Sequence, residues 1–512
     1  MKTEEEGSLT IFSALSLLLI LSFLLALLEG ARVSGLQMMD TLAADTGMDC
    51  VAAEYQTVLW DKYHLLYLDG AYGWDQFDEN KVSSRVMDYV AGNLSETGEN
   101  SVFRTKLCEA SLLEYMFATD NDGTGMLRQA SAYMKRHLPE DVAKKMYQQY
   151  QDGKKAEADG KTEYSVEDAD QAIINAKKEK EQADQNDKEG APQEEAGEKN
   201  IQDNENNHAQ DAEDGKKESP IQIVLQLKQN ALLGMTVSDI SSLSAKAVEA
   251  KDMVSNRQCE TGRYDMKKAE KMNVSDRVMV LEYIGKHFSD YTEPGKGDLT
   301  YEMEYILCGK DTDKKNLESS IERLMRMREA ANVAHIIADR EKLNQTLMIA
   351  TSLAGFSGNP AVVKIVQIGV VAAWAYVESI LDLRTLLSGG KISLIKSAAE
   401  WTTDLKKLGE IVTGEGKARE CKNGLSYQAY IKQLLFAMKE KKMAYRMMDI
   451  MELAMQKEQK GKTARLDHMI DNMICELRFE AKPLFAKRSF YGDMEKGGYT
   501  FFKRQKLSYI NE

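Results

Sequence analysis

Six histidines, six cysteines and a few close carboxylate pairs are the residues in this chain able to bind a metal, attack a carbonyl or pass a proton. The histidines stand at 64, 137, 208, 287, 335 and 468, and the cysteines at 50, 108, 259, 308, 421 and 475. No CxxC, HExxH, Walker loop, GxGxxG or GxSxG brings them to the spacing that metal, nucleotide or acyl chemistry demands. His335 lies on an apolar helical pattern and reads as a hydrogen-bonded core or boundary residue rather than a ligand. Gly389-Gly390-Lys391 is too short to cradle a phosphate and reads as a helix C-cap. The pairs Glu302/Glu304 and Glu378/Asp382 read as solvated or half-buried charge, with nothing to divide them into acid and base. Catalytic, cofactor and metal sites are therefore expected to be absent, and the chain is read as a non-enzyme. Cys108, Cys308 and Cys475 fall in expected strands, where buried free thiols are the simplest account. Met438, Met443, Met447, Met448, Met451 and Met455 form a stripe at helical spacing that fills a core, as do Trp60, Trp74, Trp374 and Trp401.

The elements that hold these residues begin with a membrane segment. Residues 9–28, opening on Leu9 and closing on Leu28, carry no formal charge and are interrupted only by Thr10, Ser13, Ser16 and Ser22. Twenty residues of helix span about 30 Å, the thickness of a bilayer's hydrocarbon core. The leader MKTEEEG lacks the basic flank of a secretory signal, and Glu29-Gly30-Ala31 is a poor cleavage site, so a retained signal-anchor is expected. The charge balance across the span, Lys2 and the amino terminus against Arg32, leaves orientation open.

Helical spacing continues from Leu36 towards Trp60, followed by a short strand at 65–68, a helix at 80–93, a strand at 102–117 and a helix at 126–151. Residues 151–219 hold 21 acidic side chains against 10 lysines, most of the formal charge of −14 in a 512-residue chain. With few apolar side chains to offset ordering entropy, this segment is expected to be a disordered insert. Its acidity says little about the folded surface, and the chain has none of the basic character of a nucleic-acid binder.

Helices are expected at 221–233, more loosely to 254, and at 275–289. The period-two alternation of Leu299, Tyr301, Met303, Tyr305 and Leu307 predicts a strand. A helix through Leu317 and His335 follows, and Pro360 opens another through Leu387 that reads as the buried centre of a soluble domain. A short strand at 392–395, helices at 398–412 and 426–456, and paired strands at 473–480 and 499–509 complete the chain. The fold class is α+β: one N-terminal transmembrane helix continuing into a helix-rich domain with a mostly antiparallel sheet. The organisation reads as leader 1–7, anchor 8–32, first domain part 33–150, insert 151–219 and second domain part 220–512.

Gly7 followed by Ser8-Leu9-Thr10-Ile11-Phe12 resembles the start of type IV and tight-adherence pilins and pseudopilins, which are cut after the glycine. Phe12 stands where those proteins usually carry a glutamate, and this leader is acidic. More broadly, GSLTIF, LLEGARVSGL, residues 298–318, 374–396 and 424–435 resemble an uncharacterised family of membrane-anchored proteins from anaerobic Gram-positive bacteria, associated with tight-adherence pilus components. That resemblance implies a cytoplasmic N-terminus, a large extracytoplasmic domain, and protein partners in a pilus or secretion assembly besides membrane lipid. The competing expectation is a cytoplasm-facing scaffold whose acidic insert recruits partners, with an extracytoplasmic enzyme a distant third.

Overall fold

The computed structural model describes residues 2–95, 102–160, 165–189, 219–264, 272–409, 416–458, 464–484 and 498–509. In chain order the first elements are α1 (Lys2–Ala52), α2 (Thr57–Tyr63), β1 (Leu68–Asp69), α3 (Glu79–Ser95), β2 (Lys106–Phe117), α4 (Thr124–His137), α5 (Glu140–Asp159) and α6 (Val166–Glu189). Next come α7 (Pro220–Lys228), α8 (Leu232–Thr236), α9 (Val274–His287), α10 (Glu302–Cys308), α11 (Asp313–Ala338), α12 (Arg340–Ala354) and α13 (Pro360–Leu387). The chain closes with α14 (Tyr427–Phe436), α15 (Glu440–Glu458), β3 (Met469–Ala481) and β4 (Tyr499–Ser508). Among the described residues helix dominates, with one small antiparallel sheet.

Two compact units share these elements. The first comprises Met1–His137, Glu249–Tyr283 and Lys439–Glu512, and holds the sheet. Strand β3 is its centre, pairing antiparallel with β2 along one edge and with β4 and then β1 along the other. Alternation decides the faces. Leu477, Phe479, Phe501 and Leu107 point inward, where Leu36, Ala44, Met48 and Val51 of α1 and Val82, Val86 and Val90 of α3 cover them. Gly47 lets the helices close: a Cβ there would come 2.4 Å from Val90 Cγ2. The methionine stripe of α15 is core, with Met443, Met447, Met448, Met451 and Met455 fully buried.

The second unit comprises Leu138–Val248 and Ile284–Met438. Helix α13 runs through its middle, capped by Asn359 with Pro360 in the first turn and packed by α6, α11 and α12. Gly389, at φ +88°, ends it as a C-cap, and the Gly390 N–H bonds Thr385 O at 2.9 Å.

Several expectations are corrected. The segment with the clearest period-two pattern, 299–307, is not a strand but leads into α10. Met303, Glu304, Tyr305, Ile306, Leu307 and Cys308 are all buried, so apolar side chains are wanted on every face and the pattern loses its meaning. Cys308 is therefore helical, while Cys108 and Cys475 are in strands; none of the six cysteines is disulfide-bonded. The acidic segment is narrower than 151–219. Helix α5 runs to Asp159, and α6 buries Val166, Ala169, Ile173 and Ala176, with Gly369 of α13 so close that a Cβ there would overlap Ala169. Four small or branched side chains at helical spacing suffice to seat an otherwise charged helix. Residues 190–218 lie outside the described residues.

The helix expected at 126–151 breaks at Pro139, and that at 426–456 breaks between Phe436 and Glu440. The stretch 398–407 forms two 3₁₀ turns, with helix only at Leu408 and Gly409, because the Thr402 and Thr403 N–H groups are given to the Glu378 carboxylate at 3.1 and 2.9 Å. The rest of that expected helix, 410–412, lies outside the described residues. Residues 392–395 form a single bridge, Ile392 to Leu425. Trp374 and Trp401 are buried, whereas Trp60 and Trp74 are exposed.

Candidate functional site

Helix α1 is unbroken over 51 residues, and its two halves face different surroundings. From Leu9, 67% exposed, to Leu28, 54% exposed, large apolar side chains stand free on every side of the helix. An apolar surface of this extent on a monomer marks a membrane or a partner. The polar interruptions are neutralised locally: Ser13 Oγ donates to Leu9 O at 2.9 Å, and Ser22 Oγ to Leu19 O at 2.8 Å. The helix thus presents an uncharged length of about 30 Å whose backbone is satisfied internally, as a membrane core requires. Gly7 and Ser8 lie within α1, just before this surface.

Immediately past Leu28 the helix enters its domain. Glu29 and Arg32 are 3% and 4% exposed and pair at 2.9 Å. Arg32 Nε donates to Val102 O at 2.6 Å, and the Leu484 N–H reaches the Glu29 carboxylate oxygens at 3.3 and 3.4 Å. One turn on, the Phe103 ring lies against Gly35, where a Cβ would meet Cε1 at 2.3 Å. Between α1 and β4 runs a groove of about 700 Å³, lined by Gly30, Val33, Ser34 and Gln37 on one side and residues 499–503 on the other. Asp40, further along α1, is fully buried. Burial pushes its carboxyl up to about 6, with Thr105 and the Lys503 charge pulling the other way.

The densest polar chemistry sits in the second unit. Glu378 and Asp382 of α13 are not solvated or half-buried, as their spacing suggests, but have no exposure at all. Arg328 of α11 points Nε and Nη2 at Asp382 Oδ2, both at 3.0 Å, and its Nη1 at Ser393 O, Leu394 O and Tyr430 Oη at 3.0, 2.9 and 2.8 Å. Lys396 Nζ lies 2.5 Å from Asp382 Oδ1 and also pairs with Glu378. Asn332 closes the ring, donating to Ser379 Oγ at 2.9 Å and Asp382 Oδ2 at 3.0 Å. Two cations face two carboxylates, so the centre is neutral. Burial would lift the Asp382 carboxyl, but the Arg328 and Lys396 charges outweigh it and hold it below the usual range. His335 stacks on Trp401 beside this centre, ring centroids 4.8 Å apart, and is held lower than usual by burial and then by Lys342.

Glu304 marks another buried carboxylate centre of this unit, with Asp290 nearby. It accepts from Tyr427 Oη at 2.7 Å and from the Tyr291 N–H at 2.9 Å, and no cation among the described residues forms an ion pair with it. Burial raises it to about 8, with nearby Asp290 adding to the rise. A reaction needs a substrate to reach such groups, and the side chains of Arg328, Glu378, Asp382 and Lys396 have no exposure. Among the described residues no three His, Cys, Asp or Glu side chains converge to hold a metal. The histidines are dispersed: His64 caps α2, His137 meets Tyr133 O, and His468 lies 3.3 Å from Glu260. His208 lies outside the described residues.

Sequence reading found the N-terminal apolar helix but missed both Arg328 and Lys396. Their partners are 54 and 18 residues away along the chain, and no local spacing announces them. The family association with tight-adherence pili finds no counterpart among known proteins: no curated protein matches this chain, and no solved structure does. A family model matches residues 210–481, which hold both of these buried carboxylate centres and β3 but not α1, β2 or β4. That match covers more than half of the chain, which belongs to the Family of unknown function (DUF5702).

Proposed function

We propose that this protein is a non-enzymatic, membrane-anchored component of a pilus or secretion assembly at the bacterial cell surface, pseudopilin-like, acting through protein–protein contacts. The observation that carries the reading is α1: one continuous helix whose first half is an exposed apolar cylinder of membrane length and whose second half is built into the first unit's core. The pilin-like GSLTIF start supports the comparison, and a cytoplasmic N-terminus with the large domain outside follows from it.

Trypsin treatment of intact cells stripped of their wall tests the topology. Fragments mapping to the lysine-bearing stretch 190–218, obtained without lysis, support the reading. Protection until the membrane is opened places the domain in the cytoplasm and favours a membrane scaffold that recruits partners. The amino-terminal mass of the mature chain separates processing before Ser8 from an anchor that keeps Met1.

A further inference from the structure

We propose that the outer edge of β4 takes up an extended polypeptide from another protein as an added strand, and that the segment it fits alternates acidic and apolar residues. This rests on the reading of a component that acts through protein–protein contacts and gives that contact a surface and a partner chemistry. Strand β3 is paired on both sides, whereas β4 is paired only with β3. Successive residues of an antiparallel strand turn their N–H and C=O groups to opposite sides, so half of the β4 backbone groups point away from β3. From Thr500 to Gln505 these groups have no second backbone partner among the described residues. An edge of this kind is a template for strand addition.

The groove between α1 and β4 runs along this edge. Its β4 wall is five consecutive residues, Tyr499 to Lys503, and because side chains alternate between faces, an unbroken run marks a strand met from its edge. The facing wall is α1 at Gly30, Val33, Ser34 and Gln37, and Gly30 has nothing within 4 Å of its Cβ position. Five residues of strand measure about 17 Å, enough for a matching run of extended backbone. Charge selects the occupant. Residues 499–508 hold Lys503, Arg504 and Lys506 and no carboxylate, and Lys503 is the charged member of the groove lining. Arg504 already meets Glu476 at 2.9 Å, and the Lys503 charge reaches the buried Asp40. Tyr499, Phe501 and Leu507 face the core, which puts Phe502, 60% exposed, together with Arg504 and Lys506 on the opposite face. An added strand with carboxylates on that face meets the cations, and apolar side chains on its other face extend the row of Tyr499 and Phe501. The β4 strand of a second copy is disfavoured, since its three cations would lie against these three.

The test uses the purified full chain in detergent micelles and a fluorescent peptide of about eleven residues alternating valine and glutamate, long enough to cover the edge, with binding read by anisotropy. Saturable binding is expected, about ten-fold or more tighter than that of the valine–lysine counterpart. N-methylation of every second peptide amide, carried out as two alternate sets, should abolish binding for one set and spare the other, because one set alone faces β4. Equal effects of the two sets, or no saturation up to about 1 mM peptide, overturn the proposal. Arg504→Ser combined with Lys506→Ser should weaken binding about ten-fold, and unchanged affinity refutes the acidic preference. The photoreactive p-benzoylphenylalanine at position 502 locates the contact. An adduct with the peptide is expected; an adduct joining two copies of the chain, or one within the chain to residues 485–497, overturns the proposal in favour of that occupant. Purified chain in micelles has no inside or outside, so failure here leaves the topology result from intact cells standing.

Discussion

Replacing Lys396 with methionine perturbs the buried centre of the second unit at its weakest point. The cation is the shared partner of Glu378 and Asp382, and without it two carboxylates with no exposure face only Arg328. Removing one partner of a buried ion pair costs about 3–5 kcal/mol, because the charge left behind has no water to turn to. Methionine matches the lysine stem in length, so lost packing contributes little and the deficit reads the charge. For a unit of this size the loss corresponds to a fall of roughly 6–20 °C in midpoint. Urea unfolding of the full chain in detergent, followed by tryptophan fluorescence, measures it, since Trp401 and Trp374 lie beside the centre. Lys396→Met combined with Glu378→Gln restores the balance of charge, one cation to one anion. The double variant should be more stable than the sum of the single losses by about 1–3 kcal/mol. A Lys396→Met loss below about 1 kcal/mol, or additivity within about 0.5 kcal/mol, would show that the centre is hydrated and the argument wrong.

Glu304 sets a pH dependence of unusual sign. Its folded pKa, about 8, lies above the ordinary value of 4.5, so the folded state holds the proton longer and stability falls as pH rises through that interval. The integrated loss is on the order of 4 kcal/mol by pH 8, and Glu304→Gln, keeping an acceptor for Tyr427, should flatten the slope in unfolding curves between pH 5 and pH 9. Gly369→Ala should destabilise despite a helix-propensity gain of about 1 kcal/mol, since the new Cβ meets Ala169; hydrogen exchange should show α6 losing protection first. Met447→Ala in α15 should cost about 2–5 kcal/mol as a cavity in a fully buried stripe, and a loss under 1 kcal/mol would mean that the stripe faces a surface.

Legibility followed how local the cause was. The N-terminal apolar helix and the paired strands β3 and β4 were readable because charge-free length and period two are written in consecutive residues. The start of α13 was readable for the same reason, with Asn359 and Pro360 side by side at its cap. The strand expected at 299–307 failed where burial on all faces erased the periodicity, and the end of that pattern became α10 with Gly309 as its left-handed cap. The charged stretch before residue 190 failed differently: Ala169, Ile173 and Ala176 are a modest stripe, and only the narrow approach at Gly369, far along the chain, makes it enough. Glu378 and Asp382 looked solvated because their neutralising partners arrive from α11 and from the segment after α13. A sequence displays a charge but not the distant charge that pays for its burial.

The same separation bears on how the exposed half of α1 is joined to the first unit. Gly30 has nothing within 4 Å of its Cβ position, and a lone glycine where an exposed helix enters a folded core would ordinarily suggest a swivel. Here Glu29 on one side of it and Arg32 on the other are bonded to each other and to Leu484 and Val102. Bending the helix at Gly30 would break a buried ion pair and pull the segments at Val102 and Leu484 off α1, whereas leaving it straight breaks nothing. The helix therefore carries the direction of its exposed apolar half into the core of the first unit without a hinge.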